Sequence, residues 1–581
     1  MQRPEVKAYY DVIVIGAGVG GLTAAAVLSK VGMSVCVVEK EPHVGGYLAG
    51  FHRKDFRFDT AIHWLNQCTP EGLLGKVFGI LGSQYPVAVA QTRIRRYKGD
   101  TFDYLLTNNP DELRDQLIAA FPHEREGLIR FFRSAKKLGK SFKNFNNIFR
   151  SEETMGFWER LHNKLRLLEF ALPFIPYISY TGEKGLKRGL NRFFRDEALH
   201  RIFTSETELL SCLVPIGWAY YGDFQSPPSG GSQVIPQWLE HMVGYYHNDC
   251  HLGARVTEVT MEDKTCTGVI FEQRGVAHTV RSRYVVAACD VETLYEKMLP
   301  ADAVPAALKK KLRAAELYSS SVTVSIALDC PTEDLGFDEE LIHLASEGLP
   351  FDAHTNGDPG TTEISILAPS LRDKSLAPQG RGTLTLYMPS HMEYKDNWCT
   401  GRDKQSNYVR GDAYRELKQD IAEVLIGRVE EKLGIDLRSH ILFYEVATPI
   451  THYRYTGNKN GTMMGAKPGR QNMQAKIAHY QTPVRNLLLG GHWAELGGGV
   501  PIAVKAGCNA ALLILRREKP AAFKALVAYM DNKITRDQLW ATGNFLPYDC
   551  TWEPPLTPAQ RSALRKSRTV AGDGQSDAPR S

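Results

Sequence analysis

The chain reads as an α/β fold, and three observations predict it. Near the N-terminus an apolar, β-branched run at 12–15 feeds the turn Gly16-Ala17-Gly18-Val19-Gly20-Gly21. A second apolar run ends in an acid, Glu39. Near the C-terminus a second glycine cluster, Gly490-Gly491-His492-Trp493 and then Gly497-Gly498-Gly499-Val500-Pro501, opens another apolar helical pattern.

Each element of the first block has a physical reason. Residues 12–15 have the pattern of a buried parallel strand. In the spacing Gly16-x-Gly18-x-x-Gly21, the first glycine allows the tight turn. The second lets backbone approach a pyrophosphate, and the third lets helix and strand pack closely. A helix predicted over 22–31 presents unpaired N–H groups and a partial positive charge at its start, where a phosphate belongs. Gly32 ends that helix and a second strand follows over 33–38. Glu39 closes the strand about 20 residues after the glycines, where a carboxylate accepts both hydroxyls of an adenosine ribose. The block predicts a dinucleotide site.

Composition narrows the class. At 581 residues the chain is too long for one core, so two or three domains are expected. A hydrophobic content of 43% with 23% charged residues is ordinary for a soluble globular protein. The net charge of +5 is too mild to argue nucleic acid, and no recognition motif accompanies the basic residues. The ten cysteines are scattered with no C-x-x-C, so no zinc or dithiol site is predicted. Buried free thiols fit a reducing compartment. The N-terminal apolar stretch lacks the basic segment of a secretory signal. With no uncharged apolar run of about 18 residues, a cytoplasmic location is the expectation.

Further motifs carry a family resemblance. The stretch Glu39-Lys40-Glu41-Pro42-His43-Val44-Gly45-Gly46, with Tyr47 next, resembles the extended signature of the large flavoprotein superfamily that includes amine oxidases, protoporphyrinogen oxidase and phytoene desaturases. The resemblance implies that Gly45 and Gly46 lie against the pyrophosphate of FAD. Phe58-Asp59-Thr60-Ala61-Ile62-His63 is similar to the "F-D-x-G-x-H" segment of the retinol saturase and carotenoid isomerase branch, which runs beneath the isoalloxazine. Here Ala61 stands where that branch usually has Gly. Pro228-Ser229-Gly230-Gly231 resembles the family's "Y-P-x-G-G" turn, and the segment ending at Asp290 resembles one that passes close to the cofactor. By the same resemblance Val256 pairs its backbone with the adenine. Phe121-Pro122-His123-Glu124-Arg125-Glu126-Gly127-Leu128 is similar to a carotenoid isomerase segment. The late cluster matches "G-D-x-x-x-P-G-G-G-V-P", with Gly491, Gly499, Val500 and Pro501 in place and His492 where relatives carry a ribityl-binding Asp.

The chain is thus identified as a member of the phytoene desaturase, carotenoid isomerase and retinol saturase family. Membership implies a Rossmann-type FAD-binding domain of the glutathione-reductase-like superfamily, with an inserted α+β substrate domain and a helical lid. The cofactor domain is expected over 8–95, 225–312 and 481–520, the lid over 96–224 and the substrate domain over 313–480. A helical extension (521–550) and a disordered tail (551–581) follow. Strands are predicted at 322–328, 363–367, 382–387 and 440–445, and an amphipathic helix over 412–433.

The implied chemistry is hydride exchange at flavin N5 with the C–C double bonds of an apolar polyene or isoprenoid: saturation, desaturation or cis-trans isomerisation. The electron donor or acceptor stays open. His63 is the candidate catalytic residue, a proton donor near the flavin if it titrates near neutrality; the alternative is a structural hydrogen bond under the ring. Two other classes share the fold: an amine-oxidase-like enzyme with a smaller polar substrate, and a non-catalytic prenyl carrier. Basic residues from Arg130 to Arg150 interleave with aromatics such as Phe142 and Phe145, and an apolar stretch runs on to Ile178. That pattern suits a peripheral membrane contact through 130–178, or equally a helix with one face on the core.

Overall fold

The computed structural model describes residues 5–573, apart from 61, 145–147, 204–205, 207 and 405–406. Ala61 and Phe145 therefore lie outside the described residues.

The first sheet grows from the strand Tyr9–Ile15, which pairs in parallel with Val35–Glu39 on one side and Val276–Ala287 on the other. Val35–Glu39 takes Asp249–Leu252 as its outer neighbour. Val276–Ala287 takes Leu487–Leu489, from the far end of the chain. An antiparallel ribbon, Ala254–Glu262 and Thr265–Gln273, completes the seven strands.

Two helices cross over this sheet. Val19–Lys30 is buried along its whole length, and Gly499–Glu518 packs against it. A Cβ on Gly507 would fall 2.0 Å from the Gly20 carbonyl oxygen, and one on Gly20 would fall 2.8 Å from that of Gly490. Glycine at these places lets the two helix backbones touch, so the N- and C-terminal motifs meet directly. Among the described residues, Gly499–Glu518 is the one helix long and apolar enough to cross a membrane by length and composition, and it is largely buried inside the molecule.

The second sheet runs in the order Ile441–Ala447, Ser320–Leu328, Gly382–Ser390, Ile364–Leu367, Leu341–Leu344, Arg93–Lys98 and Asp103–Thr107. Residues 96–107 were expected in the helical lid. They belong instead to this sheet, because Arg93–Lys98 pairs in parallel with Leu341–Leu344. Their many charges hide a strand in which Ile94, Arg95 and Tyr97 are buried. Strict alternation gives the sheet two faces. Val322, Val324, Ile364, Ile366, Leu384 and Leu386 pack on the helix Asp412–Leu433.

The helical region covers the other face. The basic helix Arg125–Lys143 crosses Leu209–Ala219 so closely that a Cβ on Gly139 would lie 2.0 Å from the Gly217 carbonyl oxygen. Its apolar residues Leu128, Phe131, Phe132, Ala135 and Leu138 are buried in the lid core. Arg150 is buried too, paired with Glu159 at 2.9 Å and Asp531 at 3.1 Å. The next helix, Phe157–Ala171, is the opposite case, with Phe157 75% and Trp158 76% exposed.

The described part of the tail, 551–573, departs from the disorder expected over 551–581; residues 574–581 lie outside the described residues. Pro558–Asp573 is helical, and its start is held to the body: the Thr557 hydroxyl donates to the Ser375 carbonyl (2.7 Å) and that of Ser562 to Asp55 (3.1 Å). Its polar composition suggests disorder, but docking beside the hairpin Gly50–Arg53/Phe56–Asp59 orders it. Within 521–550 the helices Pro520–Met530 and Arg536–Ala541 lie against the cofactor domain, where Lys76 Nζ donates to the Met530 carbonyl (2.5 Å).

Candidate functional site

The glycine turn has the geometry a pyrophosphate needs. Gly16 sits at φ +101°, a conformation L side chains avoid. A Cβ on Gly21 would fall 2.1 Å from the Gly16 carbonyl oxygen, so only glycine lets this helix lie on its strand. At Gly18 a Cβ would meet nothing within 4 Å. That side of the turn faces open space at the uncapped start of the helix, where the amides of Val19 and Gly20 are free of helical partners. Gly45 closes the turn from the side, its N–H donating to the Ala17 carbonyl (2.9 Å). Gly46 stands at φ +56°, and a Cβ on it would lie 3.4 Å from the Gly18 Cα.

Glu39 is buried at the end of its strand. One carboxylate oxygen accepts the Ala17 N–H (2.7 Å) and the other the Glu41 N–H (2.9 Å). Burial raises its pKa while those two amides oppose the shift. Each oxygen keeps a second lone pair for a ribose hydroxyl. The Gly253 N–H donates to the Glu41 carbonyl (2.9 Å), which sets Val256 and its strand alongside; a bulge follows Val256 and interrupts the ladder there. Lys40 turns to the other domain, its Nζ donating to the Arg454 carbonyl (2.9 Å). Tyr47 does likewise, its hydroxyl donating to the Thr462 carbonyl (2.7 Å). The Asp290 carboxylate is spent on the backbone: it accepts the N–H groups of Thr293 (2.8 Å) and Lys459 (3.2 Å), tying the loop at 459–461 to the first sheet.

At the far end of the cleft, Gly491 lies against Ala288, and the helix from Gly499 begins at an uncapped Gly498. Gly497 and Gly499 stand at positive φ, with open space beside Gly497, while Val500 and Pro501 are buried. The His492 and Trp493 rings meet at a tilt with centroids 5.2 Å apart, and Nε2 of His492 is buried without a partner among the described residues. Burial lowers its pKa to about 4. The Asp59 carboxylate accepts both the N–H and the hydroxyl of Ser232 (2.9 and 2.8 Å), which fastens the 226–232 loop under the same cleft.

His63 lies at the junction of the two sheets. Its ring meets Tyr387 edge to face at 4.7 Å, and both ring nitrogens are buried without a partner among the described residues. The expectation of a near-neutral proton donor is not met: burial, then His343 and Arg372, lower its pKa to about 4. The imidazole is neutral at physiological pH.

Sequence reasoning missed the polar face of the second sheet. Thr323, Tyr387, Ser365, His343 and Tyr97 are registered partners on five successive strands. They form one row on the face opposite the Asp412–Leu433 helix. Beside it Arg95 pairs with Glu206 at 3.1 Å, and burial pushes Glu206 up to about 7. The signal was present as the period-2 alternation of polar residues in strands already predicted at 322–328, 363–367 and 382–387, but a polar strand face reads as solvent-facing.

A glycine turn with open space at its second glycine, a buried carboxylate at the end of the next strand and a second uncapped helix start packed against the first define a dinucleotide-dependent flavoprotein of the α/β class. The residues fit FAD: Gly16–Gly21, Gly45 and Gly46 would hold its pyrophosphate, Glu39 its ribose and the turn at 497–501 its flavin end. The chain belongs to the family described as flavin containing amine oxidoreductase, which it matches over residues 19–515. It is 24% identical over 460 residues to a chloroplastic prolycopene isomerase of Daucus carota, covering 78% of this chain and 71% of that protein. It is 23% identical over 538 residues to an all-trans-retinol 13,14-reductase of Danio rerio, covering 84% and 83%. A putrescine oxidase double mutant shares the fold with a TM-score of 0.55 at 15% identity, over 88% of this chain and 99% of that one. The protein is an FAD-dependent oxidoreductase.

Proposed function

We propose that the enzyme acts on the C–C double bonds of a long apolar polyene or isoprenoid. One observation carries this reading. Aromatic rings run in unbroken contact from the flavin side of the molecule to its surface: His63 to Trp64 (6.4 Å), Trp64 to Phe224 (5.9 Å), Phe224 to Trp218 (5.9 Å), Trp218 to Phe142 (5.3 Å) and Phe142 to Phe170 (5.7 Å). Phe170 lies on the exposed helix Phe157–Ala171. Such a line suits a substrate with no charged handle, which must be held by apolar and aromatic surface. The relatives named for prolycopene isomerisation and retinol reduction support the same substrate class.

Bound in the cleft, FAD supplies hydride exchange at N5. The chain supplies position and exclusion of water. The uncapped start of Gly499–Glu518 favours negative charge on the flavin. The neutral His63 ring and Tyr387 form the wall between cofactor domain and second sheet.

The same line of rings supports a peripheral contact with an anionic bilayer. It ends where Phe157, Trp158, Leu165, Leu168, Ile175 and Ile178 are all exposed. Exposed Arg160, Lys164, Lys184 and Lys187 flank them, the pattern of an interfacial helix.

The test is anaerobic incubation of the photoreduced holoenzyme with a panel of polyenes, read by absorbance. Gain, loss or geometric change of conjugation each give a distinct spectrum. Rapid flavin reduction of the oxidised enzyme by small amines, with no polyene altered, would overturn the reading.

A further inference from the structure

The polar row on the second sheet is out of place for a hydrocarbon. A sheet face of Thr, Tyr, Ser and His normally looks onto water. Here the lid covers it, with Tyr97 in ring contact with Phe203 at 5.9 Å and Arg95 paired to Glu206. Buried polar groups need partners. Yet, among the described residues, Nε2 of His343 is buried with none, as are both nitrogens of His63.

The bonding of His343 defines what it lacks. Its Nδ1 lies in a short contact with the Glu363 carboxylate. A carboxylate only accepts, so Nδ1 carries the proton and Nε2 presents a lone pair. Burial, then the Arg95 charge, keeps the ring from taking a second proton. The missing partner is therefore a donor. Glu363 and Glu206 on the same face disfavour an anion. A carbonyl oxygen cannot donate, and a hydrocarbon leaves Nε2 unmatched at a cost of about 1–3 kcal/mol. A hydroxyl, a water or an ammonium N–H can each donate; a polyene or isoprenoid carries no charged end, so the substrate group that meets these conditions is a hydroxyl.

We propose that the sheet face around His343 binds a hydroxyl group of the substrate, which makes that substrate a polyene or isoprenoid alcohol. This rests on the polyene reading above and specifies it. His343 stands two strands from Tyr387, about 10 Å at ordinary strand spacing. The hydroxyl thus marks an end of the molecule set apart from the region beside His63. His343 and Glu363 act as specificity residues, and Arg95–Glu206 closes the polar end.

The experiment is equilibrium binding to the FAD-loaded protein, read by the flavin absorbance shift, with four ligands of one chain length: a polyenyl alcohol, its methyl ether, its aldehyde and the parent hydrocarbon. The alcohol is expected to bind about ten- to a hundredfold more tightly than the ether, the span set by one unmatched buried acceptor. In His343→Phe that preference should fall to within about twofold. Glu363→Gln leaves the ring in place but no longer dictates its tautomer, so it should lose part of the preference. Retained FAD content shows that each variant is folded. Equal binding of alcohol and ether by the unaltered protein, or a preference that survives in His343→Phe, would overturn the hydroxyl site alone. If none of the four binds while amines do, the polyene reading falls and the hydroxyl site with it.

Discussion

The imidazole of His63 and the ring of Tyr387 meet edge to face with centroids 4.7 Å apart. His63 follows the hairpin that lies under the cofactor cleft, and Tyr387 sits mid-strand in the second sheet. The pair is thus one of the places where the two domains touch, beside the Lys40–Arg454 and Tyr47–Thr462 contacts. Arg372 reinforces it by donating to the His63 carbonyl (3.3 Å). A ring held neutral by burial orients its surroundings; it does not deliver a proton as imidazolium. The rate profile between about pH 5.5 and 8 should therefore carry no ionisation belonging to His63. His63→Gln should lower turnover by about tenfold and leave the shape of that profile unchanged. A pKa near 6.5 that disappears in the variant would restore the general-acid role.

The glycines of the first turn separate cofactor binding from folding. The space beside Gly18 is open, and its φ of −68° suits any L residue. Gly18→Val should leave the apo-protein within about 0.5 kcal/mol of normal stability, as for an exposed change. It should also abolish FAD binding, because the isopropyl group takes the place of the pyrophosphate. Gly21→Ala is different: its methyl group would meet the Gly16 carbonyl oxygen at 2.1 Å. That change should cost about 3 kcal/mol or more in the apo-protein itself. Urea unfolding of the deflavinated proteins and the ratio of flavin to protein absorbance read the two effects apart. A yellow Gly18→Val protein would refute the placement.

Much of the cofactor domain was legible because its signals are local. The turn at Gly16–Gly21 and its flanking strands stand where the glycine spacing puts them, and 412–433 is helical to the residue. The expected lid boundary failed for a non-local reason. Arg93–Lys98 forms a local hairpin with Asp103–Thr107, but joins the second sheet only by pairing with Leu341–Leu344, almost 250 residues away. The tail failed in the same way, since its order comes from Ser375 and Asp55. Glu206 and Glu363 were illegible as site residues because their meaning lies in Arg95 and His343 opposite them. The motif gave His63 its position, but burial, which no motif reports, set its protonation.

Three buried histidines make stability depend on pH. His63, His452 and His492 are each lowered by burial to about 4. An unfolded histidine titrates near 6.5. Between these values the unfolded chain binds more protons than the folded one, so stability is complete above about pH 6.5 and declines as pH falls toward 4. Each group contributes a slope of at most about 1.4 kcal/mol per pH unit. Buried carboxylates such as Glu206, pushed up to about 7, act in the opposite sense. A variant comparison is therefore needed to isolate the effect. His492→Gln should lose about 1–2 kcal/mol less than the unaltered protein between about pH 6.5 and 5. Urea midpoints at the two pH values measure this, and identical losses in both proteins would show that His492 does not titrate in that window.

The exposed helix Phe157–Ala171 gives the membrane contact a sharper test than its basic neighbour does. The apolar face of Arg125–Lys143 is built into the lid core, so removing that helix would unfold the lid and say nothing about lipid. Phe157 and Trp158 make no such contribution, being 75% and 76% exposed. Replacing both by Ser should leave thermal stability unchanged. If the pair inserts into a bilayer, the double variant loses about 3 kcal/mol of apolar burial, roughly a hundredfold in partition to vesicles. The flanking Arg160 and Lys164 add an electrostatic share, which should weaken as salt shortens the screening length from about 10 Å at 0.1 M to about 3 Å at 1 M. Co-sedimentation with vesicles containing phosphatidylserine, at both salt levels, measures each part. Equal sedimentation of the double variant and the unaltered protein would mean that this apolar face meets something other than a membrane.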